Sequence, residues 1–239
     1  DVELYYEGFS NDTIWPLYHD VISPPRYSRP WWEAYVRVNR RFAAAAAEAV
    51  APGGTVWVQD YQLQLVPRML RELRPDVTIG YFHHIPFPAY GLYSQLPWRK
   101  QVLEGLLGAD VIGFQRVADA GNFARAVRRQ LRYETRATGI RVPLPGGHTH
   151  VAAVQAFPIS IDTASYAELA RRPEVIARAA EIREGLGNPR RIVLGVDRLD
   201  YTKGIIERFR AIERLLELKP EWIGRFTFIQ IAAPTRSGI

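Results

Sequence analysis

Short apolar runs alternate with longer amphipathic stretches along most of the chain. The runs are five to seven residues long and rich in β-branched and aromatic side chains, which is typical of buried strands. They predict strands over residues 55–59, 78–82, 109–114, 191–196 and 226–232, and strand-like composition also returns over 151–161. The first strand follows the turn Pro52-Gly53-Gly54 and ends at Asp60.

The stretches between these strands carry apolar residues at helical spacing. In residues 62–74, Leu63, Val66, Leu70 and Leu73 recur every three or four positions. The same spacing predicts helices over 31–50, 62–74, 97–107, 118–132, 163–188 and 204–219. Residues 139–150 are rich in proline and glycine and predict a loop.

Strands that alternate with helices predict βαβ units and a parallel sheet, so the predicted fold class is α/β. We predict one domain over 1–160 and, over 161–239, a linker helix and the beginning of a second domain. The chain opens on Asp1 rather than methionine and stops directly after a strand-like run. We therefore expect both ends to be cut and both sheets to be incomplete.

The composition fits a globular protein with a substantial core, since 47% of the residues are hydrophobic and 23% are charged. The chain has no cysteine, which excludes disulfides and thiolate metal sites. This absence fits the reducing cytoplasm, which is the predicted location. No apolar run approaches the roughly 18–20 residues of a membrane helix, and no signal-peptide pattern opens the sequence, so no membrane association is expected.

The net charge is +6, but the arginines are scattered along helical segments and mixed with glutamates. A nucleic-acid binder would instead cluster its basic residues with aromatic ones on one face or tail. The pattern favours a solvated surface that suits anionic small substrates, and no nucleic-acid partner is predicted. The oligomeric state is left open, with a homo-oligomer as one candidate.

Polar and titratable side chains follow three of the predicted strands, at the point where each strand ends. They are Asp60-Tyr61, the segment from His83 to Pro88, and the segment from Asp197 to Gly204. In an open parallel sheet, ligands bind beyond the carboxyl ends of the strands. This clustering is the main physical indication of a binding site.

Arg198 and Lys203 flank a short loop that leads into the helix predicted from Gly204. A guanidinium can hold phosphate oxygens in a bidentate manner, an ammonium adds a compact charge, and a helix N-terminus adds positive potential. Together they suit a diphosphate. The alternative, equally weighted on composition alone, is that Arg198 pairs with Asp197 or Asp200 and that Lys203 is only a solvated residue.

Four ordered motifs, spread over nearly the whole chain, carry a resemblance to a known family. They are Tyr5–Asn11 (YYEGFSN) with Trp15-Pro16, Val56–Tyr61 (VWVQDY), His84–Pro88 (HIPFP) and Val196–Gly204 (VDRLDYTKG). In these segments the chain resembles the trehalose-6-phosphate synthase family, the retaining glycosyltransferases of family 20. The resemblance implies a GT-B-type fold of two Rossmann-like domains, with the acceptor on the first and the nucleotide sugar on the second.

The resemblance also implies an activity. Glucose would move from UDP- or GDP-glucose to glucose 6-phosphate with retention of configuration, without a cofactor or a metal ion. Arg198 and Lys203 would hold the donor diphosphate and stabilise the charge that develops on it. His84 would bond a hydroxyl of the donor sugar, although a single histidine at a strand end is usually structural.

On the acceptor side, the resemblance assigns Asp60 to sugar hydroxyls and Tyr6, Trp15 and Arg236 to a phosphate pocket. The implied catalytic set is His84, Asp60, Arg198 and Lys203. Each acceptor residue has an alternative: Asp60 can simply cap the next helix, and a tryptophan beside a proline is more often a packing residue. The pair His148 and His150 lies in the predicted loop without a nearby carboxylate and predicts no metal site.

One position departs from the family pattern, since Gly91 stands where the family usually carries a glutamate. This leaves related activities open. They are a transferase with another donor or acceptor, such as a glucosylglycerol-phosphate synthase or a cyclitol-coupling pseudo-glycosyltransferase, and a non-catalytic homologue that senses sugar phosphates.

Overall fold

The computed structural model describes residues 2–20, 24–136, 139–144, 149–200 and 203–234. The chain divides into two compact units, Asp1–Ser160 and Ile161–Ile239. In the described ranges, no helix is both long and apolar enough to cross a membrane.

Unit 1 contains six strands and six α-helices within its described residues. The strands are β1 (Thr55–Gln59), β2 (Thr78–His83), β3 (Val111–Phe114), β4 (Thr135–Arg136), β5 (Gly139–Pro143) and β6 (Thr149–Ala156). The helices are α1 (Trp15–His19), α2 (Arg29–Ala49), α3 (Val66–Leu73), α4 (Tyr90–Tyr93), α5 (Arg99–Leu106) and α6 (Val117–Leu131). A π-helix over Glu3–Ile14 precedes α1, and a 3₁₀ turn over Tyr61–Leu63 follows β1.

The sheet of unit 1 has the strand order β1-β2-β3-β6-β5-β4. Strands β1, β2, β3 and β6 are mutually parallel, with Gln59 opposite Phe82 and Phe82 opposite Gly113. The predicted α/β class is therefore confirmed. Because the parallel strands share one direction, the residues that follow β1, β2 and β3 meet at one edge of the sheet.

The core lies on the face of the sheet that the helices cover. Along β2, Ile79, Tyr81 and His83 are fully or almost fully buried, while the residues between them are less so. Successive strand side chains point to opposite faces. The two adjacent histidines of this segment therefore have different surroundings: His83 is completely buried and His84 is exposed.

The prediction of a loop over 139–150 was wrong for most of its length. Residues 139–143 form β5, and residue 149 begins β6, to which β5 pairs antiparallel. Ile140 and Val142 are buried while Arg141 is exposed, which is the alternation expected of a half-buried strand. Gly139 opens β5 with φ +142°, a conformation that favours glycine, and an added Cβ would lie 3.0 Å from a side-chain carbon of Val151.

Two predicted helices also differ in their bounds. The helix predicted over 62–74 begins only at Val66, after the 3₁₀ turn, because Pro67 fits the first turn of an α-helix better than its interior. The helix predicted over 163–188 is two helices, α7 (Thr163–Leu169) and α8 (Pro173–Gly185). Pro173 opens α8 for the same reason.

Unit 2 continues with β7 (Arg191–Arg198), α9 (Ile205–Leu218), a 3₁₀ turn (Pro220–Trp222) and β8 (Phe226–Ala233). Strands β7 and β8 are parallel, with Arg198 opposite Ala233. Helix α9 packs Phe209 against Phe228 of β8, with ring centroids 5.6 Å apart. This β7-α9-β8 unit presents the loop after β7 at the carboxyl end of its sheet.

Candidate active site

Asp60 is held in a strained position directly after β1. Its backbone has φ 69° and ψ 175°, a region that residues other than glycine rarely adopt and that costs about 1–3 kcal/mol. Its amide donates to the carbonyl of Phe82, 2.8 Å away in the next strand. Strain of this kind is found most often at functional sites, where the surrounding structure maintains it.

The carboxylate of Asp60 joins two strand ends. Its Oδ1 accepts hydrogen bonds from the amides of Tyr61 at 2.9 Å and His84 at 3.1 Å. Burial raises the pKa of Asp60, while the amides of Tyr61, His84 and Ile85 and the charge of His84 act in the opposite direction. The capping role considered from the sequence is thus real, and it also ties Asp60 to the segment that carries His84.

His84 lies at the border of a cavity of about 610 Å³ on the face of the sheet opposite the core. The cavity walls are mainly apolar and include Trp57, Phe82 and Phe157, and the polar residues His84 and Gln115 also line it. Of the predicted site residues that the structure describes, only His84 borders this cavity. The arrangement gives the imidazole an open side next to a space that can hold a ligand.

Gln115 is a site residue that the sequence analysis missed. Its Nε2 lies 3.4 Å from Nδ1 of His84, and its Oε1 accepts a hydrogen bond from the amide of Ile159 at 3.0 Å. Gln115 directly follows β3, so the rule that locates Asp60 and His84 at the carboxyl ends of their strands applies to Gln115 as well. Gln115 orients the His84 ring from the neighbouring strand.

His83 faces the core rather than the site. The rings of Tyr18, Phe87 and Phe114 surround it, and the Tyr81 hydroxyl lies 2.9 Å from its Nδ1. Among the described residues, its buried Nε2 finds no hydrogen-bond partner of regular geometry. Burial lowers the pKa of His83 to about 3, and the Pro86 carbonyl offsets this only in part, while His19 and His84 lower it further. The residue is therefore a neutral core histidine.

This burial predicts a pH-dependent stability. In the unfolded chain His83 titrates near its ordinary pKa of 6.5, but in the folded chain it stays neutral down to about pH 3. Stability that is present above pH 6.5 is lost as the pH falls through this window, by up to about 1.4 kcal/mol per pH unit. We expect urea unfolding to show a shallower pH dependence for His83→Leu than for the parent protein between pH 6.5 and 4. Parallel pH profiles would contradict the burial of a neutral His83.

The N-terminal π-helix lies against the Asp60 loop. The hydroxyl of Tyr61 donates to Oδ1 of Asn11 at 3.0 Å, and the hydroxyl of Tyr5 donates to the carbonyl of Gln62 at 3.2 Å. Tyr6, which is half-buried, belongs to the same π-helix. The structure thus brings the segment that carries Tyr6 to the end of β1.

Trp15 follows the π-helix as the first residue of α1. It is partly buried against the core and stacks on His19, with ring centroids 3.9 Å apart. Packing, the alternative considered from the sequence, therefore accounts for part of its environment.

In unit 2, Arg198 ends β7 and Lys203 precedes the helix α9. Arg198 is 63% exposed and its Nη2 lies 3.8 Å from the carboxylate of Asp200, a separation at which an exposed pair contributes little. Lys203 is exposed, and its amide donates to the carbonyl of Asp200 at 3.0 Å. Gly204 then adopts the left-handed conformation, with φ 61°.

Arg208, in the first turns of α9, braces this loop. Its Nη1 donates to Asp197 at 2.7 Å and to the side-chain oxygen of Gln230 at 2.6 Å, and its Nη2 donates to the carbonyl of Lys203 at 3.4 Å. The Arg208 guanidinium, with further contributions from Gln230 and Lys203, holds the pKa of Asp197 below its usual range. Asp197 thus pairs with Arg208, which leaves Asp200 as the partner of Arg198.

Two residues considered from the sequence, Arg236 and His148, lie outside the described residues. His150 has structural contacts, since its Nε2 donates to the carbonyl of Ala109 at 2.9 Å. Its Nδ1 lies 3.8 Å from the carboxylate of Asp110, so the expectation of no nearby carboxylate was wrong for His150. Within the described part of the chain, no three histidine, aspartate or glutamate side chains gather in a group that could hold a metal ion.

Comparison with known proteins gives consistent matches over the whole chain. The family model described as glycosyltransferase family 20 matches residues 1–239. Trehalose-6-phosphate synthase of Mycolicibacterium smegmatis is 54% identical over 243 aligned residues, which cover 100% of this chain and 48% of that protein. The chain therefore spans about half the length of such relatives.

Solved structures also match over the whole length of the chain. The UDP-forming α,α-trehalose-phosphate synthase from Burkholderia xenovorans in complex with glucose-6-phosphate is 35% identical, with a TM-score of 0.83 over 100% of this chain and 52% of that one. The trehalose-6-phosphate structure from E. coli bound with UDP-2-fluoro glucose is 32% identical, with a TM-score of 0.85 over 100% and 52% of the two chains. The GT-B-type fold expected from the sequence is confirmed by these matches.

Proposed function

The chain belongs to glycosyltransferase family 20, and we propose that the full-length protein transfers glucose from a nucleotide sugar to glucose 6-phosphate, giving trehalose 6-phosphate with retention. The observation that carries this proposal is the 54% identity to a trehalose-6-phosphate synthase along the whole chain. Asp60, His84, Arg198 and Lys203, the residues to which we assign the chemistry, all lie within that matched length.

We propose UDP-glucose as the donor and GDP-glucose as the alternative. Support for UDP comes from relatives, since one is described as UDP-forming and another was solved with UDP-2-fluoro glucose. Support for the acceptor comes from the B. xenovorans protein, which was solved with glucose-6-phosphate. The cytoplasmic location and the absence of a cofactor or metal requirement stay predictions.

In the proposed reaction, a hydroxyl oxygen of the acceptor forms a bond to the anomeric carbon of the donor while the bond to the diphosphate breaks. The acceptor's proton passes to an oxygen of the leaving diphosphate on the same face, so configuration is retained without a protein nucleophile. Arg198 and Lys203 stabilise the negative charge that develops on that diphosphate. The protein otherwise contributes positioning.

His84 orients the donor sugar, and Gln115 holds the imidazole ring of His84. Asp60 binds hydroxyls of the acceptor. Asp60 suits this role because burial and fixed amide donors define the direction of its carboxylate. Tyr6, Trp15 and Arg236 are proposed to line the pocket for the acceptor phosphate. Of these, Arg236 would supply the charge.

The test is a product screen on the full-length protein. UDP-, GDP- and ADP-glucose are each combined with glucose 6-phosphate or with glycerol 3-phosphate, and the products are identified by mass spectrometry. We expect a disaccharide phosphate from UDP-glucose and glucose 6-phosphate. Product only with glycerol 3-phosphate would indicate a glucosylglycerol-phosphate synthase, and calorimetric binding of nucleotide sugar without any product would indicate a sensing homologue.

Because the Asp60 backbone is strained, a glycine substitution can test the catalytic role of its carboxylate with little loss of stability. Asp60→Gly removes the carboxylate and its contacts with backbone amides but relieves the strained backbone, so we expect the free energy of unfolding to change by only about 1 kcal/mol. Loss of a charged hydrogen bond to the acceptor should lower kcat/KM for glucose 6-phosphate by about tenfold to a hundredfold.

Arg132→Gly is the matched control, because Arg132 also has a positive φ of 58° but caps α6. It should leave kcat/KM unchanged. A wild-type value of kcat/KM in Asp60→Gly would contradict the assignment of Asp60 to the acceptor site.

A further inference from the structure

The loop from Asp60 to Leu65 is fastened to helix α2 by two buried side chains. Tyr35 and Asn39 lie one turn apart on α2, and both are completely inaccessible to solvent. Neither belongs to the motifs that indicate the substrate sites. Their polar atoms nevertheless point at the loop that begins with Asp60.

Asn39 uses both ends of its amide. Its Nδ2 donates to the carbonyl of Gln62 at 3.0 Å and its Oδ1 accepts from the amide of Leu65 at 3.1 Å. Nδ2 also donates to the carbonyl of Tyr35 at 2.9 Å. An amide is the side chain that offers a donor and an acceptor in this arrangement, since a carboxylate lacks the donor.

Tyr35 fastens the same loop with its hydroxyl. The hydroxyl donates to the carbonyl of Tyr61 at 2.6 Å and accepts from the amide of Gln64 at 3.1 Å. Together the two side chains bond the backbone of four loop residues that the sheet does not reach. A loop of this kind requires such partners, because buried backbone groups without a hydrogen bond are costly.

We propose that Tyr35 and Asn39 are positioning residues that hold the loop 60–65, and with it the Asp60 carboxylate, in the geometry that the acceptor sugar requires; this rests on the function proposed above. The connection is short. Tyr35 bonds the carbonyl of Tyr61, and the amide of Tyr61 bonds Oδ1 of Asp60, which also receives the amide of His84. A displacement of the loop therefore moves Asp60 and loosens the His84 segment together.

The effect on catalysis follows from how sharply reaction rates depend on position. A misplacement of about 1 Å can cost about a hundredfold in rate. The Asp60 backbone is strained, so it relaxes if its support is weakened. Loss of one anchor is thus expected to act on the acceptor side before it unfolds the protein.

The test compares Tyr35→Phe with Tyr93→Phe in the full-length protein. Tyr93 is also completely buried, and its hydroxyl donates to the carbonyl of Arg99 at 2.7 Å. Its link to the loop is indirect, through Tyr18, whose hydroxyl donates to the side chain of Gln64 at 3.0 Å. Both variants lose one buried hydroxyl and keep the ring, and Tyr35→Phe is expected to lose more stability because the Tyr35 hydroxyl bonds two backbone groups. For Tyr35→Phe alone we expect kcat/KM for glucose 6-phosphate to fall at least about tenfold, with a smaller rise in KM for the nucleotide sugar through the loosened His84 segment.

Hydrogen exchange of the His84 amide gives a second reading that does not depend on turnover. It should be faster in Tyr35→Phe than in Tyr93→Phe, because the Asp60 acceptor shifts. Equal kcat/KM in the two variants, together with equal exchange at His84, would overturn the proposal. If the wild-type protein made no product from glucose 6-phosphate, the proposed function would fail, and the exchange at His84 would still decide whether Tyr35 positions the loop.

Discussion

Replacing Arg198 or Lys203 by alanine is expected to lower kcat of the full-length protein by about 10²–10³-fold, the usual effect of removing a donor that stabilises charge in the transition state. Both side chains are exposed at the end of β7 and before α9, and the ion pair of Arg198 with Asp200 is long, at 3.8 Å. Little stability should therefore be lost. Steady-state kinetics with UDP-glucose and glucose 6-phosphate would measure the effect.

Arg210→Ala is the control for this prediction. Arg210 lies on α9, is 73% exposed and has a comparably long pair with Glu207, at 3.9 Å. Its removal changes the net charge of unit 2 by the same amount, so it corrects for long-range attraction of an anionic donor. We expect kcat near the wild-type value. A similar fall in all three variants would assign the effect to overall charge and not to the loop.

The largest expected effect on stability is that of Gly108→Ala. An added Cβ would overlap the backbone N and Cα of Arg68 and lie 2.5 Å from the backbone carbonyl carbon of Pro67. These atoms belong to the first turn of α3, and helix backbone cannot rotate away from a clash as a side chain can. Overpacking against backbone should destabilise the protein by about 3 kcal/mol. A shift of the urea unfolding midpoint would measure it.

Gly185→Ala serves as the matched substitution, because a Cβ at Gly185 in α8 meets no atom of the described residues within 4 Å. Its stability should stay the same or rise slightly, since alanine favours a helix. Equal midpoints for Gly108→Ala and the parent protein would mean that α3 does not pack as closely as described. Because α3 directly follows the loop that contains Asp60, Gly108→Ala should also lower kcat/KM for glucose 6-phosphate.

The regular strands could be predicted because their pattern is local. Thr55–Gln59 combines β-branched residues with a preceding turn, and the structure has a strand with those bounds. The prediction of a loop at residues 139–143 was wrong because their proline and glycine favoured a loop. The alternation of Ile140, Arg141 and Val142 indicated the strand that the structure has. The π-helix over Glu3–Ile14 could not be predicted, since π-helices are rare. This one also contacts residues that are distant in the sequence, near the end of β1.

The candidate site could be predicted from the sequence only in part. The rule that ligands bind at the carboxyl ends of parallel strands locates Asp60, His84 and Arg198 without a structure. The support of the site depends on distant pairs, such as Tyr35 with Tyr61, which are 26 positions apart in the sequence. No single-sequence pattern reports such a pair. The same is true of Arg208, whose partners Asp197 and Gln230 come from two strands.

The central claim is that Arg198 and Lys203 hold the leaving diphosphate. Calorimetric titration of the full-length protein with UDP and with UMP tests it directly, since the two ligands differ by one phosphate. We expect the wild-type protein to bind UDP more tightly than UMP, and Arg198→Ala/Lys203→Ala to lose most of that preference while binding UMP as before. An unchanged ratio of the two dissociation constants in the double variant would contradict the claim.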